Sequence, residues 1–364
     1  MLTRIYIDNF RCFVNFEYKP NSKQLLLGAN GSGKSSLLTA IRHLKQFVKG
    51  GANEFTQSTR TRWQDRPFQV LEIEALLDNR EYEYRVEIRF EPETKELSVS
   101  QERLKVSGAL VFERVAEKVS SPPGGAQASS TALDSTVSAL PQFQSSNLHV
   151  GRFIEWMTSL HCFRIDEYPD AMDDRADREE REPDYEFKNL AAWYRFANHN
   201  YREQNDRFLS SIREALNGFQ TLRFSSDEDG IQRLRCDFVG PLRERTSYAI
   251  SELSEGQRCL VVLYMILDFL LARGDTVFID EPDNFIALRE IQPWLLAAEA
   301  AVDDYDGQLI LISHHPELLD QWASTYGVRF FREDNGHVRT EKFKPDPAGN
   351  LHPSELIARG WENE

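Results

Sequence analysis

Eight consecutive residues, Gly28-Ala29-Asn30-Gly31-Ser32-Gly33-Lys34-Ser35, fill the spacing G-x-x-x-x-G-K-[ST]. Glycines at such positions let backbone N–H groups turn inward, and a helix that begins at the lysine adds the partial positive charge of its N-terminus. The chemistry of this loop is polyphosphate binding. Gly28, Asn30, Gly31, Ser32, Gly33 and Ser36 then form or adjoin the cradle, Lys34 reaches the β and γ phosphates, and Ser35 offers its hydroxyl oxygen to Mg2+. The ligands implied are ATP and magnesium. A glycine-rich turn with a chance lysine is the blander account, and it would need neither a strand before the loop nor a helix after it.

Thr276-Val277-Phe278-Ile279-Asp280-Glu281 is an apolar run ending in two carboxylates. A strand of this kind puts an acid pair at the carboxyl edge of a parallel sheet, where nucleotides bind. Asp280 is the expected magnesium ligand, mostly through water, and Glu281 the expected general base for an attacking water. Leu253-Ser254-Glu255-Gly256-Gln257 stands just before a long apolar helix and resembles the ABC signature, usually L-S-G-G-Q. Ser254, Gly256 and Gln257 would present the helix-end N–H groups to a γ-phosphate. In isolation an ordinary Ser-x-Glu-Gly helix start would read the same way. Leu309-Ile310-Leu311-Ile312-Ser313-His314-His315-Pro316 is a strand ending in histidine and resembles the Thr-His-Ser-Pro stretch where ABC-type ATPases carry a switch histidine contacting γ-phosphate, a resemblance that implies this role for His314.

These motifs need particular elements around them. Residues 2–7 and 23–27 read as strands, and a helix is expected from Lys34 to Val48. Alternating apolar and polar residues over 68–77, 81–91 and 96–114 predict an antiparallel β layer. From 116 to 148 the chain is rich in Ser, Pro, Gly and Gln and predicts a flexible segment. Helices at about 150–160, 188–200 and 203–217 would build an inserted lobe, where Trp193, Tyr194, Phe196 and Tyr201 fall at core spacing. Strands at 219–224, 232–238, 276–279 and 308–312 alternate with helices from Ser254, at 287–302 and after Pro316.

Taken together, Ile5-x-Ile7-x-Asn9-Phe10, Gly28 to Ser36, Leu253-Ser254-Glu255-Gly256, Asp280-Glu281-Pro282 and His314 resemble the SMC/RecF-like branch of ABC ATPases, in particular small AAA-family ATPases of bacterial anti-phage defence operons. The fold this implies is α/β, a P-loop NTPase (ABC ATPase head) with an antiparallel β layer and an inserted helical lobe. On that plan 1–115 is the N-terminal part of the head, 116–218 the flexible segment and lobe, and 219–364 the C-terminal part. The resemblance implies an ATPase, a homodimer or higher oligomer closing head-to-tail around two ATP molecules, and a separately encoded effector protein, a nuclease. A RecF-like DNA clamp is the alternative.

Two departures from the family pattern stand out. Asp283-Asn284-Phe285-Ile286-Ala287-Leu288 replaces the usual Glu-x-x-Leu-His-Pro after Asp280-Glu281-Pro282, and the middle segment has no sustained heptad repeat for long arms. About fifty residues follow His314, too few for the Toprim nuclease domain of related proteins, so nuclease activity is expected from another chain.

Bulk properties narrow the classes further. The formal charge of -15 works against non-specific binding of DNA or anionic membranes. No segment reads as a leader or a membrane span, and Cys12, Cys162, Cys236 and Cys259 are too scattered for a zinc site or a disulfide framework, which fits a cytoplasmic protein. Six basic residues (Arg42, Lys45, Lys49, Arg60, Arg62, Arg66) with Trp63 among them make DNA contact possible there, and the acidic run from Asp166 to Glu186 offers a docking surface for a basic partner. Gln64, Gln69, Gln142 and Gln144 are all open as the Q-loop glutamine.

Overall fold

The computed structural model describes residues 1–50, 54–91, 96–116, 118–120, 134–165, 172–226, 230–332, 336–347 and 349–360. In chain order the elements are β1 (Leu2–Asp8), β2 (Phe16–Tyr18), β3 (Lys23–Leu27), α1 (Lys34–Val48), β4 (Phe68–Leu77), β5 (Arg80–Phe90), β6 (Leu97–Val106), β7 (Ala109–Val115), β8 (Lys118–Ser120), α2 (Leu140–Phe143), α3 (Leu148–Thr158) and β9 (Leu160–Arg164). They continue as α4 (Leu190–Asn200), α5 (Arg202–Ala215), β10 (Phe219–Ser226), β11 (Gln232–Val239), β12 (Arg245–Ala249), α6 (Glu255–Phe269), β13 (Thr276–Asp280), α7 (Leu288–Asp304), β14 (Gln308–Ile312), α8 (Pro316–Tyr326), β15 (Gly327–Arg332), β16 (Val338–Lys342) and α9 (Pro353–Ala358). The chain divides into two compact units, Met1–His161 with Tyr326–Lys344, and Cys162–Thr325 with the chain from Pro345 onward.

The first unit is built on a seven-stranded antiparallel sheet in the order β2-β1-β4-β5-β6-β7-β8. Alternation along β5 explains its place: Tyr82, Tyr84, Val86, Ile88 and Phe90 all point to one buried face. Strand β3 pairs in parallel with β15, Leu25 against Gly327, and β15 pairs antiparallel with β16. Helix α1 buries Leu37, Ala40, Ile41, Leu44, Phe47 and Val48, the spacing of a single helical face. Lys45 of α1 donates to the carbonyls of Thr158 (2.9 Å), at the end of α3, and Leu160 (2.8 Å), at the start of β9.

The segment around 134–139 is tied to the sheet by buried polar groups. Glu102 accepts from Tyr84 Oη at 2.8 Å and from the Ala139 N–H at 3.0 Å, while Arg114 donates to the carbonyls of Asp134 and Val137. Burial pushes the Glu102 carboxyl up, against these hydrogen bonds. The Ser/Pro-rich stretch over 121–133 lies outside the described residues.

In the second unit β13 and β14 are parallel, with Asp280 opposite Ile312, and both are wholly buried. Strands β10, β11 and β12 form a separate antiparallel sheet. Helix α6 is buried from Arg258 to Phe269, so it runs through the middle of this unit with no solvent face along that stretch. Trp193 and Tyr194 of α4 and Phe208 of α5 converge on Phe269 of α6, with ring centroids 6.2, 6.3 and 5.6 Å away. Among the described residues no helix is long and apolar enough to cross a membrane.

Candidate functional site: a P-loop, a signature turn and an acid pair

The P-loop belongs to the first unit and connects β3 to α1. Its geometry depends on glycine at two positions. Gly28 has φ +136°, and a Cβ there would stand 2.1 Å from the Phe330 carbonyl oxygen of β15. Gly33, the residue before α1, has φ +111°, and a Cβ would meet Val338 Cγ2 at 3.0 Å and Cys12 Sγ at 3.2 Å. No other residue takes these conformations cheaply. Lys34 is buried within the loop, its Nζ donating to the carbonyls of Gly28 (2.5 Å) and Ala29 (3.2 Å). Ser35 and Asn30 are exposed, Ser32 is buried and Ser36 half-buried against the Cys12 thiol. The first turn of α1 carries no acidic side chain, which leaves its N-terminal dipole uncompensated toward an anion.

The Asn9-Phe10 motif turns out to be a fastening. Asn9 is fully buried with φ +58°; its Nδ2 donates to the carbonyls of Arg66 (2.9 Å) and Phe68 (2.6 Å), and its Oδ1 accepts the Thr61 N–H at 3.2 Å. Phe10 packs edge-on against His43 of α1 and Phe55. Gln69 completes the knot by donating to the Asn9 carbonyl at 3.0 Å and to Thr59 Oγ1 at 3.1 Å. Of the glutamines left open as the Q-loop residue, Gln69 is thus bound in the wall of the first unit, and Gln142 and Gln144 are on its surface.

The second unit holds the signature and the acid pair. Ser254 caps α6, its Oγ accepting the Gln257 N–H at 3.3 Å while Gln257 Oε1 accepts the Ser254 N–H at 3.0 Å, a reciprocal capping box. Ser254 and Glu255 are exposed. Gly256 touches the turn after β13: a Cβ there would stand 2.6 Å from the Phe285 carbonyl oxygen. The signature and the acid-pair turn, separate in sequence, are therefore in van der Waals contact.

Asp280 is buried at the end of β13. Glu281 follows in the left-handed region, φ +54°, with its N–H donated to the Ile312 carbonyl at 2.8 Å. A non-glycine residue held there stores strain, and such strain gathers at functional positions. The Glu281 carboxylate is held by Asn284, whose Nδ2 donates to Oε2 at 2.9 Å and also reaches the Ile165 carbonyl at 3.3 Å. In the sequence Asn284 stands out only as a departure from the family pattern; the signal for this role is its place three residues after Glu281, where an amide can turn back on a carboxylate. Burial pushes the neighbouring Asp283 carboxyl up, with Ser313 hydrogen-bonded to it.

The two histidines after β14 differ. His314 is exposed, whereas His315 Nδ1 accepts the Glu317 N–H at 3.3 Å and so caps α8. Among the described residues no group of three or more His, Cys, Asp or Glu side chains could hold a metal. A magnesium ion bound largely by nucleotide and water needs only one or two protein oxygens, and the Ser35 hydroxyl and the Asp280 carboxylate are donors of that type.

The basic and acidic stretches are largely committed to the fold. Arg60 donates to the Arg66 carbonyl and lies over Phe90, while Arg62, Trp63 and Arg66 remain exposed. Of the acidic run, 166–171 lies outside the described residues; Asp184 caps the turn into α4 through the N–H groups of Glu186 and Lys188, and Glu180 accepts from Asn189 and pairs with Arg178. All four cysteines are buried and unbridged.

The fold is shared with SMC head domains. An SMC head crystallised with the C-winged helix domain of ScpA superposes with a TM-score of 0.58 at 11% identity, over 94% of this chain and 98% of that one. The SMC head domain from Thermotoga maritima gives 0.51 at 14% identity, over 94% and 99%. No curated protein matches. A family model described as "AAA domain, putative AbiEii toxin, Type IV TA system" matches residues 25–320, and the chain belongs to that family of ATP-binding P-loop proteins.

Proposed function

We propose that this protein is a magnesium-dependent ATPase whose two copies close head-to-tail around nucleotide, and that closure controls a separately encoded effector, a nuclease in anti-phage defence. The observation that carries the reading is the acid-pair turn: a strained Glu281 whose carboxylate is oriented by Asn284 and whose turn rests on the signature glycine. In this reading the P-loop amides and Lys34 hold the polyphosphate, and Ser35 and Asp280 hold magnesium, which when bound neutralises phosphate charge. Glu281 orients and deprotonates the attacking water, and His314 meets the γ-phosphate. Ser254, Gly256 and Gln257 serve the nucleotide held by the second copy, because Ser254 and Glu255 at the start of α6 are exposed and a helix N-terminus favours an anion.

The effector half of the proposal draws support from the family description, which names a toxin system, and from the solved SMC head that carries a domain of another protein. The test is to tag Glu281→Gln, expected to bind ATP and hydrolyse it slowly, recover it from its host with Mg-ATP, and measure the mass and composition of what is recovered. A dimer or larger multiple with an effector supports the proposal; recovery with DNA and no protein partner would replace it with a DNA clamp. Lys34→Ala should abolish nucleotide binding, and a bulky residue at Ser254 should spare binding while blocking the pair.

A further inference from the structure

Two surfaces of opposite character border the two motifs that meet in the proposed pair. Beside the P-loop, in the first unit, Trp63 is 49% exposed, its ring stacked on His337 with centroids 6.4 Å apart and the Arg332 guanidinium 5.4 Å from its centre. His337 precedes Val338, the residue that crowds Gly33, so this platform neighbours the loop. Asn9 grips both sides of the Trp63 segment, at Thr61 and at Arg66 and Phe68, which makes it a preformed ledge with Arg62 exposed on it.

Beside the signature, in the second unit, is a cleft of about 710 Å³. Leu253 and Gln257 of the signature form one wall, Phe238 and Tyr248 another, and Glu244 and Glu252 add two carboxylates; no lysine or arginine is among its described lining residues. Phe238 and Tyr248 stand edge to face at 5.8 Å. Glu252 already accepts the Ala249 N–H at 2.6 Å, whereas the Glu244 side chain is exposed.

We infer that the Arg62–Trp63 ledge of one copy enters this cleft of the other, with the indole against Phe238 and Tyr248 and the guanidinium on Glu244. The inference rests on the head-to-tail reading: if P-loop meets signature, what borders one faces what borders the other. An indole and a guanidinium are the groups best suited to anchor such a contact, through ring packing and a charge-assisted hydrogen bond. The pairing also answers an electrostatic need. Each chain carries a net charge of -15, so two copies repel as wholes, and a local pairing of Arg62 with Glu244 opposes that repulsion at the contact.

The experiment uses the full chain carrying Glu281→Gln with Mg-ATP, and the dimer dissociation constant is measured by sedimentation. Arg62→Glu and Glu244→Arg should each weaken the dimer by about tenfold or more, and the two together in one chain should return it to within about threefold. Nucleotide binding by the monomers should be unaltered, which shows that the variants fold. Single reversals without effect on a background that dimerises, or a double variant as weak as the product of the singles, would overturn the docking and leave the sandwich standing. A Glu281→Gln background that stays monomeric with ATP would overturn both. Trp63 fluorescence, isolated by subtracting Trp63→Phe, should change only at concentrations where dimer forms; a change that tracks nucleotide binding to the monomer would put the base on the ring and overturn the inference.

Discussion

Asn284 Nδ2 lies 2.9 Å from Glu281 Oε2, and the residue it holds has a left-handed backbone. The amide fixes the direction of a carboxylate whose main chain is already pinned to Ile312. Replacing Asn284 with Ala or with Asp should lower kcat for ATP hydrolysis roughly ten- to a hundredfold while leaving nucleotide affinity unchanged. Asp keeps the size and removes the donor, so steady-state turnover beside equilibrium binding separates orientation from packing. Full activity in Asn284→Asp would mean that the contact is incidental.

Gly256 has no room for a side chain, because a Cβ would stand 2.6 Å from the Phe285 carbonyl oxygen. Gly256→Ala should push the acid-pair turn away from the signature. We expect a loss of roughly 1–3 kcal/mol in stability and a fall in turnover larger than in any substitution at Glu255, one residue earlier and exposed. Thermal melts and turnover on the two variants measure it.

His314 and His315 should separate cleanly. His315→Ala removes the acceptor for the Glu317 N–H and should cost about 1 kcal/mol of stability with turnover retained. His314→Ala should lower turnover with little change in the melting temperature, since the side chain is exposed. The opposite assignment would show as a catalytic loss in His315→Ala.

Asp268 makes the stability of the second unit depend on pH. It is buried on α6, Oδ2 has no hydrogen-bond partner among the described residues, and burial pushes its carboxyl up to about 7 against the opposing charge of Arg207. A carboxyl raised in the folded state keeps its proton where the unfolded chain, near 3.9, has lost it. Stability therefore falls as pH rises from about 4 to about 7, and the penalty is fully present above that. Asp268→Asn should leave stability near pH 4 almost unchanged and raise it at pH 8 by roughly 1–4 kcal/mol. Denaturant midpoints across that range provide the check, and a difference independent of pH would remove Asp268 as its source.

The sequence by itself determined the parts whose physics is local. A loop that needs left-handed glycines, a strand ending in two carboxylates and a capped apolar helix each announce themselves within ten residues, because backbone sterics and capping act over a single turn. The main helices and strands were legible for the same reason, and the α/β class and the family through the resemblance that these motifs carry together. Tertiary structure decided what depends on approach between distant segments. Strand β2 is only three residues long, and β12, β15 and β16 lack the apolar run that marks β3, β13 and β14, so these strands exist through their neighbours' hydrogen bonds. The buried grip of Asn9 on the Trp63 ledge, the closure of Gly256 on Phe285 and the choice of His315 as a helix cap are contacts between side chains and carbonyls brought together by packing. The role of Asn284 was invisible for a related reason: an asparagine three residues after a glutamate is common, and only the left-handed turn at Glu281 folds its amide back onto the carboxylate.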